Sequence, residues 1–551
     1  MFKIPGFSAL YNSDGYKVGH KSMLAPNTTR LYGTWIPRSL KYGPKGATKV
    51  VSFGQQLVVK WLHHEFEENF FGGEKRKMLE RSYDILETPQ ENRINYKEDA
   101  LRFVKDMSLY LNLPYDGKHF EELFDLGYLP IEIQSLPEGI ETLPNIPHMT
   151  FINTVDGFAW LTLYLETFIS SLAWKAPTSA TIALQYKRRC YEYVMKTDPT
   201  NAWLIPWLCH DFSARGLDPY SQIASGLGHA TCFMGSDTLP VIPSARFFYN
   251  EPLDQVCIGS VNASEHSVST TEIFTVGERQ MIIDWLTRIP EGMFSMVCDT
   301  FSTWQFINYL RDPEIKELVV NRKGKLVVRP DSGDPVDIIC GVDDGKVTKI
   351  IGGFNTDKGF RGENYLNEPT TKGVIELLAD IFGYTINEQG YKVLPPYIGA
   401  IYGDSINLER QQSIYERLAA KGFAATNIVL GVGSFTYQMN TRDTMGFAAK
   451  GAWFEVESDD LDYWEGGSGI MPKIKKGYNI YKDPVTDDGS KKSLKGFQFV
   501  YLHQNEYVVK SEVEEQVAYS DANILQTIYK DGKFFNKTTL TEIRERMDKL
   551  V

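Results

Sequence analysis

Leu326-Val327-Val328-Arg329-Pro330-Asp331-Ser332-Gly333 is a short apolar run that stops abruptly on a guanidinium, a carboxylate and a glycine turn. A β-branched run of that length reads as a buried strand. Its last residues then place an anion clamp and a hydroxyl acceptor at one strand mouth. The pattern recurs. Phe294 to Cys298 ends on Asp299-Thr300, Tyr397 to Tyr402 ends on Gly403-Asp404-Ser405, and Asn427 to Leu430 ends on Gly431-Val432-Gly433-Ser434. Four candidate strands thus carry acids or glycines at the same C-terminal end, where parallel α/β architectures bind ligands. The pattern suits a phosphorylated, polyhydroxylated substrate.

Working outward, residues 205 to 445 alternate apolar strand, polar mouth and amphipathic helix. Leu408 to Ala420 shows the helical part: Leu408, Tyr415, Leu418 and Ala419 share a face, Lys421 sits in the last turn, and Gly422 offers a stop. Repeated strand-helix units mean parallel strands, and this many favour a closed or nearly closed barrel over an open sheet. Gly341 to Thr370, rich in Gly, Asp and Asn, reads as an insertion between a barrel strand and its helix Thr371 to Phe382. Residues 1 to about 200 mix helical stretches, such as Leu57 to Phe71 and Leu101 to Leu111, with turn-rich segments. Residues 455 to 500 read as a long Lys-, Gly- and Asp-rich excursion before a C-terminal helix, Thr541 to Leu550.

Composition narrows the function. With 551 residues and 42% hydrophobic content the chain can bury a large core, and its net charge of −12 argues against nucleic acid as a partner. The one strong basic cluster is Lys473, Lys475, Lys476, Lys482, Lys491, Lys492 and Lys495, either a solvated basic loop or a phosphate clamp. Six widely spaced cysteines without a C-x-x-C pair suit a reducing compartment. Neither a signal peptide nor a membrane span is apparent: Ala159 to Trp174, the most apolar stretch, is too short and too polar to cross. A cytoplasmic location is expected.

Several motifs are ambiguous singly. His63-His64-Glu65 lacks the second histidine of H-E-x-x-H, so it reads as a polar helix face rather than a metal site. Gly431-Val432-Gly433-Ser434 is not G-x-G-x-x-G, yet a glycine turn after a strand still exposes N–H groups to a phosphate. His210-Asp211-Phe212-x-x-Arg215-Gly216 combines an aromatic plate with a guanidinium, and Glu265-His266-Ser267 sets an imidazole beside an acid and a hydroxyl. Each has a structural explanation as well; their order along one barrel-like stretch is what favours function.

The run of motifs resembles the nicotinamide phosphoribosyltransferase family of pyridine-nucleotide salvage, nearly end to end. It begins with Ser13-Asp14-Gly15-Tyr16-Lys17-Val18-x-His20 and Pro26-Asn27-Thr28. It continues through Leu129-Pro130-Ile131-Glu132-Ile133, Pro137-Glu138-Gly139, the His210 and Glu265 motifs, and Gly235-Ser236-Asp237-Thr238. Arg329 to Gly333, Gly390-Tyr391-Lys392, Leu394 to Tyr397, Gly403-Asp404, Thr441-Arg442-Asp443 and Lys482 to Val485 complete it. The resemblance implies an α/β fold: an irregular (β/α) barrel, residues 201–445, with a second α+β domain built from both chain termini, 1–200 and 446–551. It further implies a homodimer with shared sites. The implied reaction joins nicotinamide to 5-phosphoribosyl 1-diphosphate, giving nicotinamide mononucleotide and diphosphate with Mg²⁺, and couples ATP hydrolysis through a phosphohistidine.

By position, Phe212 and Tyr16 of a second subunit would sandwich the pyridine ring. Asp237 would accept from the carboxamide NH₂ and Arg329 would donate to its oxygen. Asp331, Gly403 and Asp404 would hold the ribose, and Gly433, Ser434 and Arg442 the 5′-phosphate. Arg215, Asp299 and His266 would face the diphosphate and metal end, with His266 the phosphorylated residue. Arg38, Lys450, Lys482 and Lys491 would gather the phosphates of ATP or diphosphate. The chain departs from the vertebrate pattern at Gly433-Ser434-Phe435, where three glycines stand, and at Ala448, where a hydroxyl residue stands. Two other readings are a nicotinate phosphoribosyltransferase, against which the Asp237 carboxylate argues by repulsion, and a non-catalytic binding protein, against which intact Arg329, Asp331, His266 and Asp237 argue.

Overall fold

A computed structural model describes residues 8–73, 96–342, 364–403, 405–459, 473–486 and 491–551. The chain divides into two compact units. The first comprises Met1–Thr178, Phe247–Asn250 and Thr441–Ile543; the second comprises Ser179–Arg246, Glu251–Asn440 and Arg544–Val551.

The second unit is built on six parallel strands in the spatial order Cys209–Phe212, Ile428–Gly433, Ile398–Tyr402, Lys323–Arg329, Glu291–Val297 and Asn262–Ala263. Register sets Leu326 against Ile398 and Val297 against Arg329, so the C-terminal ends come together along one rim. Leu326 and Val328, two residues apart and so on one face of their strand, are fully buried, while Val327 on the other face is partly buried. The sheet curls into a half-barrel. Beyond the Cys209–Phe212 edge, the described residues continue the pairing through single parallel bridges, Asp211 to Ser236 and Gly235 to Gly259. The helix Leu408–Ala420 buries Leu408, Ile414, Tyr415 and Leu418, and Gly422 beyond it adopts the expected left-handed φ of 76°.

Two details of the sequence reading change here. A short helix, Pro335–Cys340, capped by Asp334, stands between the Arg329 strand and Gly341, so the Gly341–Thr370 segment does not follow the strand directly. Most of that segment, residues 343–363, lies outside the described residues. The helix expected over Thr371–Phe382 spans Asn364–Phe382 with a break at Gly373, whose φ is 76°.

The first unit is organised on a seven-stranded antiparallel sheet. In spatial order its strands are Lys473–Asn479, Ala448–Asp459, Thr28–Ile36, Met149–Asn153, Ile131–Ser135, Gln526–Lys530 and Lys533–Phe534. Among the described residues, the excursion expected over 455–500 holds the end of Ala448–Asp459, the strand Lys473–Asn479 and the start of the hairpin Phe497–His503 with Glu506–Val513; residues 460–472 and 487–490 lie outside the described residues. Its central strands are covered on both faces and still carry polar side chains, several of them satisfied internally, although the buried Thr34 hydroxyl makes no hydrogen bond. Asn153 accepts from the Leu31 N–H and donates to the Thr29 and Val155 carbonyls, and Thr150 donates to Gln134. Ala159 to Trp174 forms two short buried helices, and no described helix is long and apolar enough to cross a membrane.

This unit also buries two neutral imidazoles. Burial pushes His148 and His119 down to about 3, the latter with help from Lys21. Both folded values lie below the unfolded one, so the unfolded chain takes up protons first as pH falls below about 6.5. Stability is thus fully present above that point and declines beneath it, by up to ~1.4 kcal/mol per pH unit for each histidine. Urea midpoints should drop between pH 7.5 and 5.5, and less so in His148→Gln.

Candidate active site

At the rim of the half-barrel, Arg329 ends its strand with a guanidinium whose Nη2 donates to the Ser264 carbonyl at 2.6 Å; its Nε is buried without a hydrogen-bond partner. The turn that follows is pinned to the neighbouring strand. Gly403 N–H donates to the Pro330 carbonyl at 3.2 Å, and the Tyr402 hydroxyl donates to the Gly333 carbonyl at 2.9 Å. A Cβ on Gly403 would lie 2.6 Å from Asp331 Oδ1, so only glycine lets this backbone pass so close to the carboxylate. Asp404 lies outside the described residues.

His266 opens the helix His266–Val276. Its Nε2 stands 3.6 Å from Asp299 Oδ1 and 3.9 Å from Asp331 Oδ2, and its Nδ1 lies 3.3 Å from Thr300 Oγ1. The imidazole is half exposed, whereas Asp299 is buried and its Oδ1 makes no hydrogen bond. Three residues from three strand ends thus form one cluster: a nucleophilic ring, accessible from solvent, with two carboxylates to stabilise any positive charge it gains.

The next sector of the rim is held by Asp211, whose fully buried carboxylate accepts from Ser213 N–H at 2.9 Å and from the Thr238 hydroxyl at 2.7 Å. That ties the His210 strand to the loop bearing Asp237. His210 Nε2 lies 3.3 Å from Asp237 Oδ1, and the Ser260 hydroxyl donates to the same oxygen. Burial opposes the Asp237 charge, but hydrogen bonds from His210 and Ser260, with the charges of His210 and Arg329, hold it below the usual carboxylate range. The His210 and Phe212 rings sit 4.6 Å apart.

The expected glycine turn at 431–433 is not a turn. Gly431 and Gly433 continue the ladder against His210 and Phe212, and the helix Ser434–Gln438 follows at once. Gly431 serves packing: a Cβ there would stand 2.6 Å from the Tyr402 carbonyl oxygen and 2.8 Å from the Phe212 ring. Gly216 likewise admits the Ser434 side chain against the exposed Arg215 turn.

Other expected site residues belong to the first unit. Tyr16 and Arg442 line a hollow of about 250 Å³ with Asp14, Glu166 and Trp174. Glu166 joins Lys17 at 2.8 Å and Lys450 at 3.2 Å. Arg38 donates from Nε to the Gly446 carbonyl at 2.9 Å, while the Lys482 and Lys491 side chains are exposed. The wider lysine cluster is largely neutralised: Lys473 pairs with Glu457, Lys475 with Asp156 and Glu455, Lys492 with Asp483, and Lys495 with Glu512. His63-His64-Glu65 is only partly a polar face, because Glu65 is buried, where it accepts from Asn69. No set of three potential metal ligands occurs among the described residues.

Sequence reasoning missed Glu166, Ser260 and Ser264, which contact Lys450, Asp237 and Arg329. Each is an ordinary residue in an unremarkable context, and only the curl of the sheet or the fold of the first unit brings it to its partner.

Comparison with known proteins agrees with this architecture. Residues 207–463 match the model of the nicotinate phosphoribosyltransferase (NAPRTase) family. The crystal structure of nicotinate-nucleotide pyrophosphorylase from Pyrococcus furiosus shares the fold, with a TM-score of 0.50 at 13% identity over 100% of this chain and 96% of that one. Fold and family define an enzyme of the phosphoribosyltransferase class. A protein of Acinetobacter baylyi named nicotinamide phosphoribosyltransferase is 34% identical over 99% of this chain and 97% of its own length. A protein of the same name from Mycoplasma pneumoniae is 29% identical over 88% and 93%. The chain belongs to the nicotinamide phosphoribosyltransferase family.

Proposed function

We propose that this enzyme transfers the 5-phosphoribosyl group of 5-phosphoribosyl 1-diphosphate to nicotinamide in NAD salvage, releasing diphosphate and forming nicotinamide mononucleotide. Asp237 carries the reading. Its carboxylate, held charged by His210 and Ser260, accepts from a carboxamide NH₂ and repels a second carboxylate. The Nε of Arg329, buried and unpartnered, leaves this guanidinium with a donor for the carboxamide oxygen. Phe212 forms one wall for the ring, and Tyr16 of a second subunit forms the other, in a homodimer with shared sites.

No general base is needed, because the pyridine nitrogen attacks with a lone pair it already has. Asp331, with Gly403 and Asp404, holds the ribose while the anomeric carbon becomes cationic, and its carboxylate stabilises that charge. Gly433, Ser434 and Arg442 bind the 5′-phosphate. Arg215 neutralises the departing diphosphate. Asp299 and Asp331 suit Mg²⁺, a hard cation often held by one or two carboxylates together with phosphate oxygens, and the Asp299 oxygen without a hydrogen bond fits that need. When bound, the ion would neutralise charge on the leaving group. His266 accepts the γ-phosphoryl group of ATP on a ring nitrogen, releasing ADP, and later yields it to water. Arg38, Lys450, Lys482 and Lys491 gather the phosphates.

The test is base choice. Asp237→Ser should lower kcat/KM for nicotinamide and raise it for nicotinate, narrowing the preference by about 10–100-fold. Parallel assays with both bases would show an unchanged preference if Asp237 is not the selector.

A further inference from the structure

The helix Gln55–Phe66 and the turn after it carry a face the reaction does not use. Lys60, His63, His64 and Glu67 fall at i, i+3, i+4 and i+7, the spacing that normally forms a buried apolar stripe. Here those four positions are all titratable, and they line a hollow of about 460 Å³ with Phe247, Phe534 and Lys537. That volume lies within the range of small-molecule sites.

Two features of the hollow ask for an anion. Lys60 is 8% exposed, and its ammonium donates to the Phe247 carbonyl and to Asn250 Oδ1, both at 2.9 Å. An ammonium has three donors, so one remains without a protein acceptor. Neither partner is charged. Burial and the nearby Lys537 charge, only partly offset by Glu138, push Lys60 down to about 8. Lys537 is exposed and pairs with no carboxylate among the described residues. The walls ask for a flat ring: the exposed Phe247 meets His64 with centroids 6.0 Å apart, and Phe534 meets His63 edge-on at 5.0 Å. Glu67 and Glu68, also in the lining, offer carboxylate acceptors to donor groups on a ligand.

We infer that this hollow is a second ligand site, distinct from the reaction site, that takes a nucleoside monophosphate. Its phosphate would sit with Lys60 and Lys537, its base against Phe247 and Phe534, and its hydroxyl or amino groups toward the glutamates. A free phosphate lacks the ring, and a nucleoside lacks the charge.

Titration calorimetry with adenosine 5′-monophosphate, adenosine and inorganic phosphate tests this on the full-length protein. The monophosphate should bind at least tenfold more tightly than either fragment. Lys537→Met and Lys60→Met should each weaken it by about tenfold at this site, with turnover in the absence of the monophosphate unchanged in Lys537→Met. Lys537 is exposed, so its replacement keeps the test valid even where Lys60→Met fails to fold. An unaltered isotherm in Lys537→Met would overturn the assignment, since any binding would then belong elsewhere. Equal affinity for phosphate alone would overturn the nucleotide class.

Discussion

His266→Ala protein is expected to make nicotinamide mononucleotide without hydrolysing ATP. The imidazole stands within 3.6 and 3.9 Å of two carboxylates and is half exposed, so it can take a phosphoryl group from solvent-side ATP while Asp299 and Asp331 stabilise its protonated form. Removing the ring removes the only nitrogen nucleophile in this cluster. ATP hydrolysis linked to turnover should fall to background, whereas phosphoribosyl transfer, which the proposed mechanism places on Arg329 and Asp331, should persist at a reduced rate. Stable transfer of label from γ-labelled ATP to the His266→Ala protein would sink the assignment.

Equally large losses are expected from Tyr16→Ala and Asp331→Ala, each on the order of 100-fold or more, about 3 kcal/mol. The more telling result comes from mixing them. Tyr16 is 67% exposed, as a residue completing a second subunit's pocket would be before assembly. If the chain forms the proposed homodimer with shared sites, co-refolding equal amounts gives heterodimers in about half the population. In each heterodimer both defects fall in one site and the other is wild type, so activity should recover to roughly one quarter of the native value. No recovery in verified heterodimers would mean that each pocket is built from a single chain.

Four of the six parallel strands were legible in the sequence because they are continuous apolar runs that end on polar mouths, whereas Cys209–Phe212 and Asn262–Ala263 carry no such run. Leu326–Val328 and Phe294–Val297 lie within strands that end beside Asp331 and Asp299. The antiparallel sheet was not. Thr28–Ile36, Ile131–Ser135 and Met149–Asn153 are buried on both faces yet carry Thr34, Gln134, Thr150 and Asn153 inside, so they show neither clean alternation nor a continuous apolar run. Gly431 and Gly433 misled in the opposite direction. Glycine after an apolar run suggests a turn, but both continue a strand, and at Gly431 the close approach of Phe212 and the Tyr402 carbonyl requires the missing side chain. Asp237, His266 and Arg329 were singled out by their motifs, and the partners they meet in plain sequence were not. Ser260 and Ser264 reach Asp237 and Arg329 only because the edge of the sheet turns back on itself.

The central claim is that this chain joins a phosphoribosyl group to nicotinamide in preference to nicotinate. The direct measurement is chromatographic: incubate the purified protein with 5-phosphoribosyl 1-diphosphate, Mg²⁺ and ATP, and with either base in parallel. Nicotinamide mononucleotide should accumulate with stoichiometric diphosphate, and the nicotinate reaction should be slower by at least about tenfold at equal base concentration. Faster consumption of nicotinate, or no mononucleotide from nicotinamide, would contradict the account.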